Sequence, residues 1–307
     1  MKLQQLASFV AIYEEGSFSR AAARVHATQS GLSMQIQKLE TELDVTLLER
    51  TPKGVTPTSA GKRFYARAID VLRGVKIAEA EARQSSGQIS GKIRVGVLPA
   101  FTQSIIAPTL VKFSERYPNV EVTILEGFSP LLSDAVVRGE VDFAIVPIDA
   151  PRNGIRYRHF ATDREILVSS IDSDLEHLQS VAPGDLPGLK LVLPTRGNAR
   201  RDLLELIFAG YDVSISSVLE MDSVAAALDL VANSEWKTIL PAVICARDLK
   251  STRRKLHPIE RPRITVDYMF AEPQSIMTTD RTSLFLDVLK QEHQRTVDQW
   301  TNAVPDF

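Results

Sequence analysis

A single cysteine, Cys245, in a chain of 307 residues rules out an internal disulfide and fits a reducing compartment. No apolar run is long enough to span a bilayer, and Met1-Lys2 leads straight into an amphipathic pattern. Neither a membrane segment nor a signal peptide is therefore expected, and the cytoplasm is the expected location. The chain also lacks a phosphate loop, a dinucleotide glycine motif and a G-x-S-x-G elbow. Its five histidines, His26, His159, His177, His257 and His293, are scattered outside any recognised metal spacing. Carboxylates are plentiful, but no pair is singled out by spacing. These absences leave catalysis, a metal and a cofactor without a candidate residue, and the expectation is a protein that is not an enzyme.

What is present is ordinary for a globular chain: 44% hydrophobic and 24% charged residues, with length enough for two or three domains. The net charge of −2 by itself argues against nucleic acid, but it is unevenly spread. Residues 1–90 hold 12 lysines and arginines against 9 acids, and the remainder holds 24 against 29. A mildly basic head on an acidic body suits DNA binding by one part only, and equally suits plain solubility.

The head carries the sharpest pattern. Leu3, Leu6, Phe9, Val10 and Tyr13 predict a first helix stopped at Gly16. Phe18, Ala21 and Ala22 predict a short, closely packed second helix, broken at His26-Ala27-Thr28. The next helix sets Leu32, Ile36, Leu39 and Leu43 on one buried stripe. Its other face carries Ser30, Ser33, Met34, Gln37 and Thr41, with Lys38 at the edge. Short hydrogen-bonding side chains on an exposed helix can read base edges in a major groove. Spacing alone leaves an ordinary amphipathic helix with a solvated polar face equally open. Leu47–Arg50 and Gly54–Pro57 then predict two short strands around Thr51-Pro52-Lys53, a wing.

The strings F-S-R-A-A, T-Q-S-x-L-S-x-Q-I-x-x-L-E-x-x-L, L-L-E-R and G-V-T-P-T-x-A-G resemble the amino-terminal domain of LysR-type transcriptional regulators, without gaps from about Leu3 to Gly61. The resemblance implies a cytoplasmic winged helix-turn-helix regulator whose partner is double-stranded DNA. By position it makes Gln29, Ser30 and Ser33 base contacts, Lys53 the wing contact and Arg50 a phosphate contact. Ser30 and Gly31 stand where the family often has Pro and Ala, and Met34 where it frequently has Arg. A methionine can touch a thymine methyl but cannot bond a guanine edge or a phosphate.

From Thr58 to about Gln84 the pattern is helical, with Tyr65, Ala68, Leu72, Val75 and Glu79 at heptad-like spacing and Phe64, Ile69 and Val71 widening the stripe. Such a helix is roughly 40 Å long at its rise per residue, more than the small head can cover. Burial against the chain's own C-terminal part is one solution. A homodimer of antiparallel linker helices is what the resemblance implies, with a homotetramer as the expected assembly. Residues Ser85–Gly91 predict a hinge.

Beyond Gly91 strands and helices alternate, the mark of parallel α/β structure. Strands are predicted at Ile93–Leu98, Val120–Leu125, Val141–Val146, Glu165–Ser169, Lys190–Leu193, Ser214–Glu220 and Ile264–Phe270. Helices are predicted around Ile106–Tyr117, at Leu131–Arg138, Arg201–Phe208, Val224–Ala232 and Arg281–His293, with a loose end from about Asn302. R-Y-P-N-V-E-V-x-x-x-E-G and R-G-E-V-D-F-A-I-V again resemble the LysR family, here its effector-binding domain. The fold class is therefore α/β: a winged helix-turn-helix head (1–57), a linker helix (58–84), a hinge (85–91) and a two-lobed effector domain (92–301) resembling periplasmic binding proteins. Lobe I is expected over about 92–162 and 266–301, and lobe II over about 163–265.

In open α/β sheets ligands sit beyond the carboxyl ends of strands, at loops entering helices. Three loops qualify: Ala100-Phe101-Thr102-Gln103-Ser104, Gly127-Phe128-Ser129 and Thr195-Arg196-Gly197-Asn198. Hydroxyls and helix starts there bind anions, and Arg196 with Arg200 offers a carboxylate clamp. Plain N-capping accounts equally for Thr102, Ser104 and Ser129, solvated surface for the two arginines, and core packing for Phe101 and Phe128. The resemblance places the effector cleft at these loops, so a small anionic effector is expected. A departure lies at Trp236, where the family usually has a small residue. A solute-binding protein or an enzyme on the same scaffold is the competing reading. The former would need an export signal and gives no reason for the basic head.

Overall fold

The structure is a computed structural model and describes residues 1–51, 54–82, 89–147, 151–274, 278–304 and 307. In the head, helices α1 (Leu3–Glu15), α2 (Phe18–Arg24) and α3 (Gln29–Leu43) pool their apolar stripes into one core. Leu6, Phe9 and Ile12 meet Phe18, Ala21, Leu32, Ile36 and Leu39 there. Leu43, expected on the same stripe, is instead 36% exposed because the last turn of α3 runs past the core. Asp44 ends that helix in the left-handed conformation, at φ 51°.

Strands β1 (Leu48–Thr51) and β2 (Gly54–Pro57) pair antiparallel as the wing. Its root is a close backbone approach. Gly16 caps α1 at φ 57°, and its carbonyl accepts the Val55 N–H at 3.0 Å. A Cβ on Gly54 would lie 2.7 Å from that carbonyl oxygen, and its φ of 127° also excludes most side chains.

Helix α4 (Ser59–Ala82) leaves the head by packing on it. Tyr65, Ala68 and Ile69 are buried in the head core. Tyr65 stacks on Tyr13 at 3.8 Å, and its hydroxyl donates to Glu14 at 2.7 Å. The first half of the linker stripe is thus covered by the chain's own head. Val71, further along, stays 45% exposed. Of the expected hinge, Ser85–Gln88 lie outside the described residues, and Gly91 already opens the next strand.

Strand β3 (Gly91–Val97) pairs parallel with β4 (Val120–Glu126) and β5 (Phe143–Pro147). The short helix α5 (Pro99–Thr102) and helices α6 (Ile106–Arg116) and α7 (Ser129–Val137) connect them. The long strand β6 (Ile155–Ser170) then leaves this unit for a second one. There β7 (Leu189–Leu193) pairs parallel with β8 (Ile215–Glu220) and β9 (Lys237–Pro241), connected by α8 (Ala199–Gly210) and α9 (Val224–Ala232). After α10 (Ala242–Cys245), strand β10 (Arg254–Pro258) pairs with the second half of β6, and β11 (Thr265–Pro273) with its first half. Helix α11 (Asp280–Ala303) closes the fold on the first unit, against α6. The sheet order β4-β3-β5-β11-β6-β9-β7-β8 makes β6 and β11 the crossing strands between two α/β lobes.

Several elements differ from expectation, among them β6, β10 and α11. Strand β6 starts at Ile155, and β10 was not anticipated. Both stretches are rich in charge, with Arg156, Arg158 and His159 in one and Arg254 and Lys255 in the other, which hides their pairing. Helix α11 continues to Ala303, past the loosening expected from about Asn302, and Phe307 stacks on the buried Trp300 at 4.6 Å. Trp236, the departure in lobe II, is half-buried and packs against the main core.

Two imidazoles are enclosed by this packing. His257 is fully buried on β10, bonded to Ser169 and the Glu176 carbonyl, and His293 on α11 sits between Phe101 and Phe160 with Nε2 unpartnered. Burial pushes both down to about 4 from near 6.5. The unfolded chain then binds protons that the native one refuses, so this stability is present above 6.5 and lost as pH falls toward 4. Asp163 acts in the opposite sense: burial raises its carboxyl to about 7, so its contribution fades as pH rises through neutrality. His293→Leu should therefore flatten the acid side of the stability profile, by up to about 1.4 kcal/mol per pH unit between 6.5 and 4. Urea melts at pH 7 and pH 5 measure this, and an unchanged slope would mean that the native imidazole is protonated freely.

Candidate functional site

The first candidate surface is the outer face of α3. Thr28 precedes the helix and accepts the Gly31 N–H at 3.1 Å, freeing Gln29 and Ser30 to stand at its exposed start. Gln37 and Lys38 are exposed, Met34 is 69% exposed and Ser33 is half-buried. Two contacts organise this face. Ser19 of α2 donates to the Gln29 side-chain oxygen at 3.0 Å, and Arg50 of β1 donates to the Ser33 hydroxyl at 2.6 Å. The Arg50 guanidinium lies 4.6 Å from the Phe18 ring centre, so an aromatic side chain steers a wing cation onto α3. Ser33 and Arg50 therefore meet, while Lys53 lies outside the described residues. Amide, hydroxyl and guanidinium groups on one protruding face have the donors and acceptors that a major groove presents to.

The second is a cavity of about 700 Å³ between the lobes, at the carboxyl ends of β3, β4 and β7. Ala100, Phe128, Ser129, Thr195, Arg196, Asn198 and Arg200 line it. Phe101, Thr102, Gln103 and Ser104 do not, because Pro99 starts the one-turn α5 and carries them away from the cavity. Phe101 is wholly buried against Phe160 and Tyr268. Thr102 ends that helix rather than starting one, and its hydroxyl bonds to the Pro99 carbonyl and the Glu126 carboxylate. Gln103 is the cap, and the buried Ser104 hydroxyl donates to the Ala100 carbonyl at 2.5 Å.

On the lobe II wall, the two arginines part company. Arg200 is enclosed and gives both ends of its guanidinium to Glu165 of β6, each at 2.7 Å, with a further bond to the Ile239 carbonyl. It is therefore committed to the protein and not to a clamp with Arg196. Its neighbour Arg201 is likewise tied down, to Glu205 at 2.8 Å and Glu220 at 2.7 Å. Arg196 is 86% exposed, with Glu220 at 3.7 Å. Asn198 caps α8 by accepting the Arg200 N–H, and Thr195 is fixed by Asp222 through both its N–H and its hydroxyl.

On the lobe I wall, α7 opens onto the cavity with Phe128 as a cap that supplies no side-chain hydrogen bond. Ser129, its first residue, is 4% exposed, and its hydroxyl has no hydrogen-bond partner among the described residues. The rest of the lining is mainly apolar, including Leu98, Pro147, Met221, Val224, Leu240 and Ile244. Sequence reasoning missed these and Tyr268, because they lie within or beside strands and helices and read as core residues. Among the described residues, no group of three His, Cys, Asp or Glu side chains could hold a metal. Nor is any helix long and apolar enough to cross a membrane.

A winged helix-turn-helix on a long helix, followed by two α/β lobes around a cavity, defines a ligand-responsive DNA-binding regulator. The sequence agrees. Residues 3–62 match the family described as bacterial regulatory helix-turn-helix protein, lysR family, and residues 86–294 match the LysR substrate binding domain. The chain belongs to the LysR family of transcriptional regulators and carries that family's effector-binding domain. It is 30% identical to the nitrogen assimilation regulatory protein nac of Klebsiella aerogenes over 242 residues, 78% of each chain. The regulator BbuR of Bordetella bronchiseptica is also 30% identical, over 234 residues, covering 76% of this chain and 72% of that one. Full-length OxyR from Pseudomonas aeruginosa shares the fold with a TM-score of 0.72 at 22% identity, over 95% of this chain and 94% of that one. CbnR, solved with its target DNA, gives 0.56 at 21%, over 95% and 99%.

The buried pair and the exposed arginine should behave differently. Glu165→Ala leaves Arg200 charged and enclosed without a partner, a change that typically costs about 3–5 kcal/mol. Arg196→Ala should leave stability within about 0.5 kcal/mol of the parent. Thermal melts of the two variants without added ligand test this, and equal effects would refute the assignment of Arg200 to structure.

Proposed function

We propose that this regulator acts in the cytoplasm as a dimer or tetramer, reads double-stranded DNA with α3, and responds to a small organic anion in the inter-lobe cavity. In this reading Gln29, Ser30, Ser33, Met34, Gln37 and Lys38 face the base edges, while Arg50 and Lys53 face the phosphate backbone. The head is taken as residues 1–57 and the linker as 58–84, with the later part of α4, where Val71 is 45% exposed, as the contact between subunits. Lobe I is then about 92–162 and 266–301, and lobe II about 163–265.

The observation that carries the effector class is the uncapped start of α7, where the Ser129 hydroxyl has no hydrogen-bond partner among the described residues, facing a cavity whose exposed cation is Arg196. Helix starts carry partial positive charge, and hydroxyl and N–H groups donate to a carboxylate. The apolar remainder of the lining accommodates a hydrocarbon body. Ala100, Phe128, Thr195, Asn198 and Arg200 shape the walls of the same space. Phe101, Thr102, Gln103 and Ser104 act behind it, by fixing the loop after β3. Ligand binding alters DNA recognition only through a difference in affinity between assemblies, which shifts their populations.

Two experiments test the reading. On DNA, Gln29→Ala should reduce discrimination between operator and random fragments by about 1–3 kcal/mol. Arg50→Ala should weaken binding to all sequences and lower the salt slope by about one unit. Equal losses on specific and random DNA for Gln29→Ala would remove it from the readers. For the effector, thermal shift against carboxylates, amines and neutral sugars should single out carboxylates. Stabilisation should reach about 2.7 kcal/mol at a hundred times the dissociation constant. Ser129→Ala and Arg196→Ala should each weaken it. Stabilisation only by neutral or cationic compounds would overturn the anion assignment.

A further inference from the structure

Most polar side chains around the cavity already have partners within the protein. Asp222 holds Thr195, Asn198 caps α8, Arg200 serves Glu165, and the Thr238 hydroxyl donates to the Val192 carbonyl at 2.9 Å. Tyr268 does not follow this pattern. It lies on the crossing strand β11 and lines the cavity, yet it is only 2% exposed. The Phe101 ring holds it edge-on at a centroid distance of 4.8 Å. Its hydroxyl has no hydrogen-bond partner among the described residues. Phenylalanine would fill the same space, so packing of the ring does not account for the hydroxyl. A hydroxyl retained in that position, reachable from the cavity, points to a ligand atom.

The chemistry of its surroundings narrows which atom. Burial pushes the phenol well above its ordinary value, and Asp163 and Glu165 add to the effect against a single opposing Arg200. The hydroxyl therefore stays protonated and donates. Glu165 is already satisfied by Arg200, and the anionic end of the effector is received at α7 and Arg196, so a neutral oxygen is the acceptor left for this hydroxyl.

We propose that Tyr268 is a specificity-determining residue that donates its hydroxyl to a neutral carbonyl or hydroxyl oxygen of the effector, separate from the anionic group received at α7 and Arg196. The effector class is then an oxo- or hydroxy-substituted organic acid and not a simple fatty or aryl acid. This rests on the cavity being the effector site, as set out above.

Matched acids separate the two readings. Full-length protein and Tyr268→Phe are titrated with hexanoate and 5-oxohexanoate, and with phenylacetate and 4-hydroxyphenylacetate. In the parent, at least one oxygenated acid should bind about tenfold more tightly than its plain counterpart. In Tyr268→Phe that preference should vanish, with binding of the plain acid and the ligand-free melting temperature unchanged. A preference that survives the substitution, or a parent that binds both members of each pair equally, overturns the proposal and leaves the anion reading standing. A fall of several degrees in the ligand-free melt would assign the hydroxyl to structure and also overturn it. Binding of none of the four acids counts against the anion reading, and a crystal structure of the parent then decides the role of Tyr268. A hydroxyl bonded only to a molecule in the cavity supports the proposal, and one bonded to Asp163, Glu165 or another protein group refutes it.

Discussion

The buried ion pair between Glu165 and Arg200 is the constraint on which the effector domain depends. Two opposite charges withdrawn from water are tolerated only when their geometry is good and their remaining donors are satisfied. Here both carboxylate oxygens meet the guanidinium at 2.7 Å, and the Ile239 carbonyl takes a further N–H. The pair links a crossing strand to the first turn of α8. Two residues earlier on the same face of β6, Asp163 accepts the Val243 N–H at 2.9 Å and so holds the start of α10. The crossing point is thus pinned by side chains, and the walls of the cavity take their positions from it.

That arrangement also sets the electrostatics of the cavity. Arg200 and Arg201 both stand at the start of α8, where a cluster of positive charge could have formed. Each is neutralised by carboxylates of the protein itself, which leaves the wall largely apolar with Arg196 as its exposed cation, 3.7 Å from Glu220. What the cavity offers a ligand is then a few directional donors, such as the open turn of α7, and not a strong long-range field. Such a cavity admits molecules by shape and by hydrogen-bond pattern.

Much of this was legible in the residues, because the physical signals were local. The stripe Leu32, Ile36, Leu39 and the stop at Gly16 specify the head, and the alternation of apolar strands and helices specifies the lobes. The pieces that escaped depend on partners distant in sequence. Strand β10 is written in arginine and lysine and becomes a strand only because the second half of β6 offers its edge. Arg200 looks like a free cation until Glu165, 35 residues away, is folded beside it. Thr102 resembles a helix start by type, but Pro99 begins the turn that it ends. Tyr268 reads as core by alternation, and only the shape of the cavity distinguishes its hydroxyl from its ring.

The contact between Gly16 and the base of the wing has a consequence for the DNA. Because the Gly16 carbonyl receives the Val55 N–H, and a Cβ on Gly54 would collide with it, the wing is anchored to the end of α1 by backbone alone. Arg50 crosses from the wing to Ser33, closing a rigid frame around α3. If α3 reads the groove and the wing meets the phosphates, as proposed, the span between them is held largely by main-chain atoms at Gly16 and Val55. Any mismatch between that span and a given duplex must be absorbed by the duplex, through groove width or bending. Base steps that the protein never touches then enter the recognition energy by their stiffness.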